Sequence, residues 1–396
     1  MRPHRLDNPV RHYAWGSRAA LPALLGHAPS GRPEAELWLG THPRAPSRLI
    51  DGTPLSEWVA SAAEAVLGAA VARRRGTLPF LLKVLAVAHP LSVQVHPDDP
   101  TARAGFAAEV AAGLSTADPR RAFPDPHGKP ELLVALSSFD ALCGLRDPSD
   151  LAALLRALGI WPDLTAAPEG ALDAVLASGP ERAEALAAAL EEDGPRQADR
   201  VRLRTLRDRF PGDAGLACAA LLRPVHLDPG EALLVPPGVL HAYLRGVGVE
   251  IQAASDNVAR AGCTAKPTAP AEVTRLSRRT PGGGVRWDTS AGGTARSWET
   301  PDLPFRLGRI DLGPGTAGAW TAPPPASAEI LLCTAGELVL QTRGARPTAL
   351  WRGQSVVIPA SAGAWTLRGT GTVFRAAANA RVDLPGPSAD RRPPPA

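Results

Sequence analysis

The 396 residues carry 43 basic and 39 acidic side chains, and the resulting net charge of +4 forms no basic stripe interleaved with aromatics, so nucleic-acid binding is not expected. Such a length buries two or three sizeable cores. The four cysteines, Cys143, Cys218, Cys263 and Cys333, show neither C-x-x-C spacing nor the density of a disulfide framework, and read as buried free thiols in a reducing compartment.

In chain order, MRPHRLDNPVRHYAWGS lacks the apolar core of a secretory signal. The longest apolar run, residues 78–95, is interrupted by Lys83, His89 and Pro90 and makes a poor membrane span. A cytoplasmic protein is expected, with no membrane and no nucleic-acid partner. Residues 1–147 read as short strands punctuated by Pro and Gly, with a helical patch near 102–112. Within them, LSVQVHPDDP (91–100) sends Ser92, Gln94 and His96 to one side of a strand and Val93 and Val95 to the other. Residues 148–222 change character. DLAALLRALG, PERAEALAAALEE and QADRVRLRTLRDRF have helical periodicity, with Ser149 or Asp150 placed to cap the first. Strands resume with RPVHLDPGEALLVPPGVLHAYL and run to about Lys266. Residues 272–383 are again strand-rich, and 384–396 read as a disordered tail. The expected organisation is one β-domain from 1–147 plus 223–271, a helical insertion at 148–222, and a second β-domain at 272–383.

GEALLVPPGVLH (230–241) and GQSVVIPASAGA (353–364) share Gly and Pro in the same register, which suggests two related β-domains. The second copy has Ala364 where the first has His241, so it is expected to hold no metal. Lysine occurs only at Lys83, Lys129 and Lys266, while arginine supplies the cations elsewhere; sites that retain an ammonium are therefore candidates for a compact point charge.

The pattern formed by Gly230, Pro236, Gly238 and His241 resembles the second motif of cupin β-barrels, where that histidine is a metal ligand. In GKPELLVAL, Glu131 opens an apolar strand, and an inward carboxylate there is costly unless it meets a cation. Gln94, His96, Glu131 and His241 make a two-nitrogen, two-oxygen set suited to Zn²⁺ or another divalent ion, with a position left for water or substrate.

The stretches YAWGS, AELWLGTHP, LPFLLKVLAVAHPLSVQVHPD, GKPELLVAL, PPGVLHAYL and VEIQAASDNVARAGCTAK resemble, in order, the type I mannose-6-phosphate isomerases. The resemblance implies a mainly β fold, with two cupin-type jelly-roll barrels and a helical insertion. It also implies one zinc per chain and interconversion of the sugar phosphates mannose 6-phosphate and fructose 6-phosphate through an enediol. By resemblance, Gln94, His96, Glu131 and His241 match the metal ligands, Arg260 the active-site arginine and Lys266 a nearby lysine. One departure is Gly128 directly before Lys129, where the family often has histidine; His127 lies one residue earlier. For the base, Glu250 is favoured over Lys129 and Lys266, with an ion pair to Arg260 as its alternative role. Lys83 and Ser92 suit the phosphate or its approach, Tyr243 the substrate, and Trp15, Glu36 and Trp38 the pocket wall. A monomer is expected. An isomerase or epimerase of another sugar phosphate, or a cupin sugar-binding module without catalysis, remains the alternative.

Overall fold

Strands whose alternate residues are apolar on both faces must be covered twice, and here the cover is a second sheet on one side and the strands' own folded-back layer on the other. The computed structural model describes residues 1–115, 118, 121–287, 293–298, 300–313 and 318–379; the expected tail, 384–396, lies outside them. The chain is mainly β, with an eleven-stranded and a nine-stranded sheet among the described residues. No helix there is long and apolar enough to cross a membrane.

In the first sheet Val285–Trp287, Ala232–Val235, Glu131–Ala135, His241–Ala253, Phe80–Val87, Glu36–Leu39 and Val10–Arg11 lie side by side. The thirteen-residue strand His241–Ala253 belongs to two layers. Its second half pairs with Phe80–Val87 and Glu131–Ala135, and its first half with Phe139–Leu145 and, at His241, with Gln94 of Val93–Val95. Leu85, Leu133, Ala141, Cys143, Leu233 and Tyr243 fill the space between the layers. On the opposite face, Leu82, Val84, Leu132, Val134, Val249 and Ile251 pack against Leu307, Ile330, Leu332, Phe374 and Ala376 of the second sheet. Each fully buried aliphatic side chain of this shared core contributes about 1.5–3 kcal/mol relative to exposure.

Between Phe139–Leu145 and Leu222–Leu227 the chain is helical, from Pro148–Leu158 to Gly215–Ala220. These helices cover Val93, Val95, Leu240, Ala242, Leu244, Ala259 and Ala261, the outer faces of the site strands. Arg146 fastens them: its guanidinium donates to Asp150 at 2.7 Å, Asp199 at 2.6 Å and the Ala220 carbonyl at 3.1 Å. The first helix departs from the sequence expectation. It begins after Asp147 with Pro148 in its first turn, and neither Ser149 nor Asp150 caps it; Asp150 is held by Arg146 and Arg196 instead.

The helical patch expected near 102–112 is the helix Asp99–Ala111, capped by Asp98, which accepts from Thr101 N at 2.9 Å. Four further helices, Ala20–Leu25, Leu55–Ser61, Ala63–Leu67 and Ala69–Arg75, break the expectation of strands through residues 1–147. Leu55, Val59, Val66 and Val71 recur at near-helical spacing, and all four are buried in the core between the sheets.

Candidate active site

Short stretches from across the chain contribute to one cavity of about 580 Å³, and plain alternation aims most of the polar residues on its strands into it. In Phe80–Val87, Lys83 faces the cavity with Leu81 and Leu85, while Leu82 and Val84 face the second sheet. In Val93–Val95, Gln94 faces inward, and the two valines are fully buried beneath the helices. Glu36 and Trp38, Glu131, and Arg260 follow the same rule on their own strands.

His241–Ala253 requires more. His241 and Tyr243 are odd-numbered, Glu250 and Gln252 even-numbered, so an unbroken strand would place the pairs on opposite faces. The pairing with Phe139–Leu145 shifts between Tyr243 and Arg245, where two steps on this strand match one step, Ala141 to Asp140, on its neighbour. This bulge at Leu244 reverses the alternation: Tyr243, Glu250 and Gln252 line the cavity, and His241 meets Glu131 on the same inner side.

Around Glu131, which lines the cavity, His96 Nε2 lies 3.3 Å from Oε1 and His241 Nε2 lies 3.3 Å from Oε2; both rings are buried and neither itself lines the cavity. Both rings are oriented from behind: His96 Nδ1 donates to the Asn257 carbonyl at 2.7 Å, and His241 Nδ1 to the Val239 carbonyl at 3.0 Å. Burial and the Lys129 ammonium push the His96 pKa down to about 4, so its ring is neutral and Nε2 carries a lone pair. Burial favours protonation of Glu131, but Lys129, its Nζ 2.8 Å from Oε1, and the His96 and His241 rings together outweigh it and hold the carboxyl well below its usual range. Electron pairs of two imidazoles and a carboxylate thus face one another, an arrangement that a cation between them makes favourable. Glu131 Oε2 is buried with no hydrogen-bond partner among the described residues. Among those residues His96, Glu131 and His241 form the one group of three or more His, Cys, Asp or Glu side chains suited to a metal ion.

Gln94 lies beside these three. Its Nε2 lies 3.3 Å from His241 Nε2, and its Oε1 accepts from Ser92 Oγ at 3.1 Å. A half-turn of the amide exchanges the two, presenting oxygen to the cluster and leaving nitrogen to donate to Ser92.

Above the cluster, Glu250 pairs with Lys83 at 3.4 Å and not with Arg260, which corrects the alternative role considered for it; the two residues are direct register partners across adjacent strands. Burial and the nearby Glu131 raise the Glu250 pKa to about 7. Burial works against the Lys83 charge, yet Glu36 and Glu250 prevail and hold its pKa above the ordinary lysine value. Glu36 also accepts from Trp38 Nε1 at 2.5 Å. The Tyr243 hydroxyl is buried without a hydrogen-bond partner among the described residues, and burial with Glu250 and Glu131 keeps it protonated.

Arg260, Lys266 and Trp15 line the same cavity, but the first two are not joined to the metal cluster. Among the described residues neither has a carboxylate at ion-pair distance; Lys266 Nζ sits 5.2 Å from the centroid of the Tyr13 ring, which stacks on Trp15. Several lining residues were not read from sequence, among them Arg209, Asp256 and Gln252. Arg209 ends the helix Gln197–Arg209, and nothing in an arginine-rich helix marks it out. Asp256 is bound by His42 and Arg44 at the rim. Gln252 is two residues beyond Glu250, and alternation alone would have found it.

The departure at Gly128 has a steric cause. A Cβ there would lie 2.7 Å from Asp99 N and 2.8 Å from Asp98 C, so the chain passes too close to the start of the Asp99–Ala111 helix for any side chain. His127 does not line the cavity; burial and Arg75 push its pKa down to about 4.

Comparison with known proteins agrees with this geometry. A family profile described as phosphomannose isomerase type I, catalytic domain, matches residues 4–148. The chain is 35% identical over 393 residues to the mannose-6-phosphate isomerase of Escherichia coli K12, covering 94% of this chain and 98% of that protein. It is 30% identical over 301 residues to the human enzyme of the same name, covering 65% and 68%. Among solved structures it is similar to a mannose 6-phosphate isomerase bound with zinc and yttrium, with TM-score 0.86, 34% identity and coverage of 96% of this chain and 100% of that one. The apo form from Salmonella typhimurium superposes with the same TM-score, covering 96% and 99%. With that identity sustained over nearly the full length of the bacterial relative, the chain belongs to the type I mannose-6-phosphate isomerase family.

Proposed function

We propose that this protein interconverts mannose 6-phosphate and fructose 6-phosphate, with one zinc ion held by Gln94, His96, Glu131 and His241. The observation that carries the reading is the convergence of the His96 and His241 Nε2 atoms on the two oxygens of Glu131, each at 3.3 Å. When bound, the ion supplies a Lewis acid that draws charge from the sugar oxygens.

The chain's own residues do the rest. Glu250, with its pKa near 7 and its position in the cavity wall, removes the proton at C2 of the open-chain aldose and returns it at C1 of the enediol. Lys83 keeps that carboxylate ionised and in place. Lys129 and the Tyr243 hydroxyl present donors where charge develops on the sugar oxygens. Ser92 orients Gln94, and Trp15 closes the wall.

The charge distribution of the cavity supports the phosphate end. Lys83, Lys129, Arg44 and Arg121 are each paired with a carboxylate, whereas Arg209, Arg260 and Lys266 are not, among the described residues. Three uncompensated cations among the lining residues suit a dianion, and holding it there fixes C1 and C2 against base and metal.

The same reading covers the architecture. Each sheet is a cupin-type barrel, the helices at 148–222 are an insertion into the first, and the second, from 272 to 383, holds no metal. Five central strands follow the same order in both sheets, Ala232–Val235, Glu131–Ala135, His241–Ala253, Phe80–Val87 and Glu36–Leu39 being matched by Ser355–Ile358, Glu329–Thr342, Trp365–Ala378, Phe305–Leu312 and Ala295–Trp298, which supports it. Four buried free thiols fit a reducing, cytoplasmic setting.

The test is an assay of purified protein with mannose 6-phosphate, beside elemental analysis. One zinc per chain and chelator-sensitive turnover are expected, and His241→Ala should lose both. Turnover that persists without stoichiometric metal, or none with mannose 6-phosphate, refutes the proposal.

A further inference from the structure

Residues 262–266, which carry Lys266 to the cavity, adopt a conformation their own sequence disfavours. Cys263 sits at φ 55°, in the left-handed region that non-glycine residues rarely occupy, and it follows Gly262 at φ 147°. Nothing within the loop repays this strain except one short bond, from Lys266 N to Thr264 Oγ1 at 3.1 Å.

The compensation comes from the far end of the helical segment. Asp213 Oδ1 accepts from Cys263 N at 2.8 Å, and Oδ2 from Thr264 N at 3.1 Å. Oδ1 also accepts from Gly215 N at 2.7 Å, which fixes the carboxylate to its own turn. The two chains touch at glycines: a Cβ on Gly215 would lie 2.5 Å from Gly262 Cα, and one on Gly262 2.4 Å from Asp213 Oδ1. Asp213 itself does not line the cavity, whereas Cys263, Thr264, Ala265 and Lys266 do.

We propose that Asp213 is a positioning residue, a clamp that sets the 262–266 loop so that Lys266 faces the phosphate of the substrate. This rests on the reading of Lys266 as part of the phosphate subsite. By taking the Cys263 and Thr264 amides, the carboxylate stabilises the strained turn and leaves the ammonium as the group presented to the anion. Asp213→Asn keeps the Oδ1 acceptor and loses the Oδ2 one, so its effect should lie between wild type and Asp213→Ala.

The experiment uses the full zinc-loaded chain, with inorganic phosphate as a competitive probe of the subsite. Asp213→Ala should raise both the phosphate inhibition constant and KM for mannose 6-phosphate about tenfold, with zinc content retained and kcat changed less. Lys266→Ala should do the same, and the double variant should be no worse than Lys266→Ala alone, because the clamp acts through that lysine. If Asp213→Ala fails to fold, Gly215→Ala, which crowds the loop from the other side, and Asp213→Asn carry the test. Unchanged phosphate inhibition in the Asp213 variants, or effects that multiply in the double variant, overturns the clamp. Unchanged phosphate inhibition in Lys266→Ala overturns the subsite reading instead, and the clamp with it.

Discussion

Glu250 and Lys83 are direct partners across two hydrogen-bonded strands, and the balance between them sets the proton affinity of the proposed base. Burial and Glu131 raise the Glu250 pKa to about 7; Lys83 opposes both. Catalysis needs the ionised carboxylate, so kcat/KM should rise with pH through an acidic limb. Lys83→Met removes the opposing charge, and the limb should move to higher pH by about one unit or more; a pH profile of the variant that overlays wild type would refute the coupling. Stability carries the opposite dependence. The folded chain binds the Glu250 proton more tightly than the unfolded one, so this group's contribution is fully present below the unfolded value of 4.5 and is lost as pH rises through about 7. At this scale most of the site was legible, because whether Gln94, His96 or Glu131 faces a core depends on alternation within a few residues. The partner of Glu250 was not, since Lys83 lies far from it in sequence, whereas Arg260, the nearer cation along the chain, is on the next strand and does not reach it.

At the scale of elements, the bulge at Leu244 unites His241 and Tyr243 with Glu250 and Gln252. Gly246 follows it at φ 131°, and a Cβ there would meet Phe139 Cα at 2.8 Å and its ring at 2.5 Å. Gly246→Ala should therefore cost at least about 2 kcal/mol from overpacking and backbone strain together. It should also lower activity, since the register beyond the bulge aims Glu250; denaturant unfolding and turnover measured side by side check both. A bulge leaves little trace in sequence beyond the glycine, as it is defined by the neighbouring strand it fails to match. The helices at 55–75 had a legible trace in Leu55, Val59, Val66 and Val71, but short pieces separated by Gly68 and an irregular Ala62 interrupt the period.

At the scale of the whole molecule, the repeat seen at Gly230 and Gly353 extends to register. Glu131 pairs with Val235 and Gln252, and Glu329 with Ile358 and Ala377, so Glu329 stands in the second sheet where Glu131 stands in the first. By the same count Arg375 occupies the place of Glu250. There the carboxylate meets an internal cation: Arg375 Nε donates to Glu329 at 2.9 Å and its Nη2 donates to the other oxygen, with Trp320 and Trp365 flanking the guanidinium. Arg375→Ala strands a buried carboxylate and should destabilise the fold by about 3–5 kcal/mol, whereas replacing both by apolar residues, Arg375→Met with Glu329→Leu, should recover much of that. Equal losses in the single and double variants would refute an ion pair that acts as a unit. The sheets also exchange edges. His4–Asp7 pairs with Ser355–Ile358 of the second, while Val285–Trp287, far along the chain, pairs with Ala232–Val235 of the first.

Alternation, glycine and proline punctuation, and the conjunction of Gln94, His96, Glu131 and His241 were enough to read a β-rich chain with a divalent-metal site, and the resemblance of six stretches to the type I mannose-6-phosphate isomerases supplied the sugar-phosphate reaction. These signals are local: a strand's two faces and a ligand's chemistry depend on residues a few positions apart. Tertiary structure alone decided that Lys83 holds Glu250, that a bulge turns His241 and Glu250 to the same side, that Asp213 reaches the 262–266 loop, and that the sheets trade edge strands. Each depends on which distant segments meet. That is set by the burial of apolar faces against one another over the whole molecule, a sum of many weak, non-directional contacts that no short stretch of sequence contains.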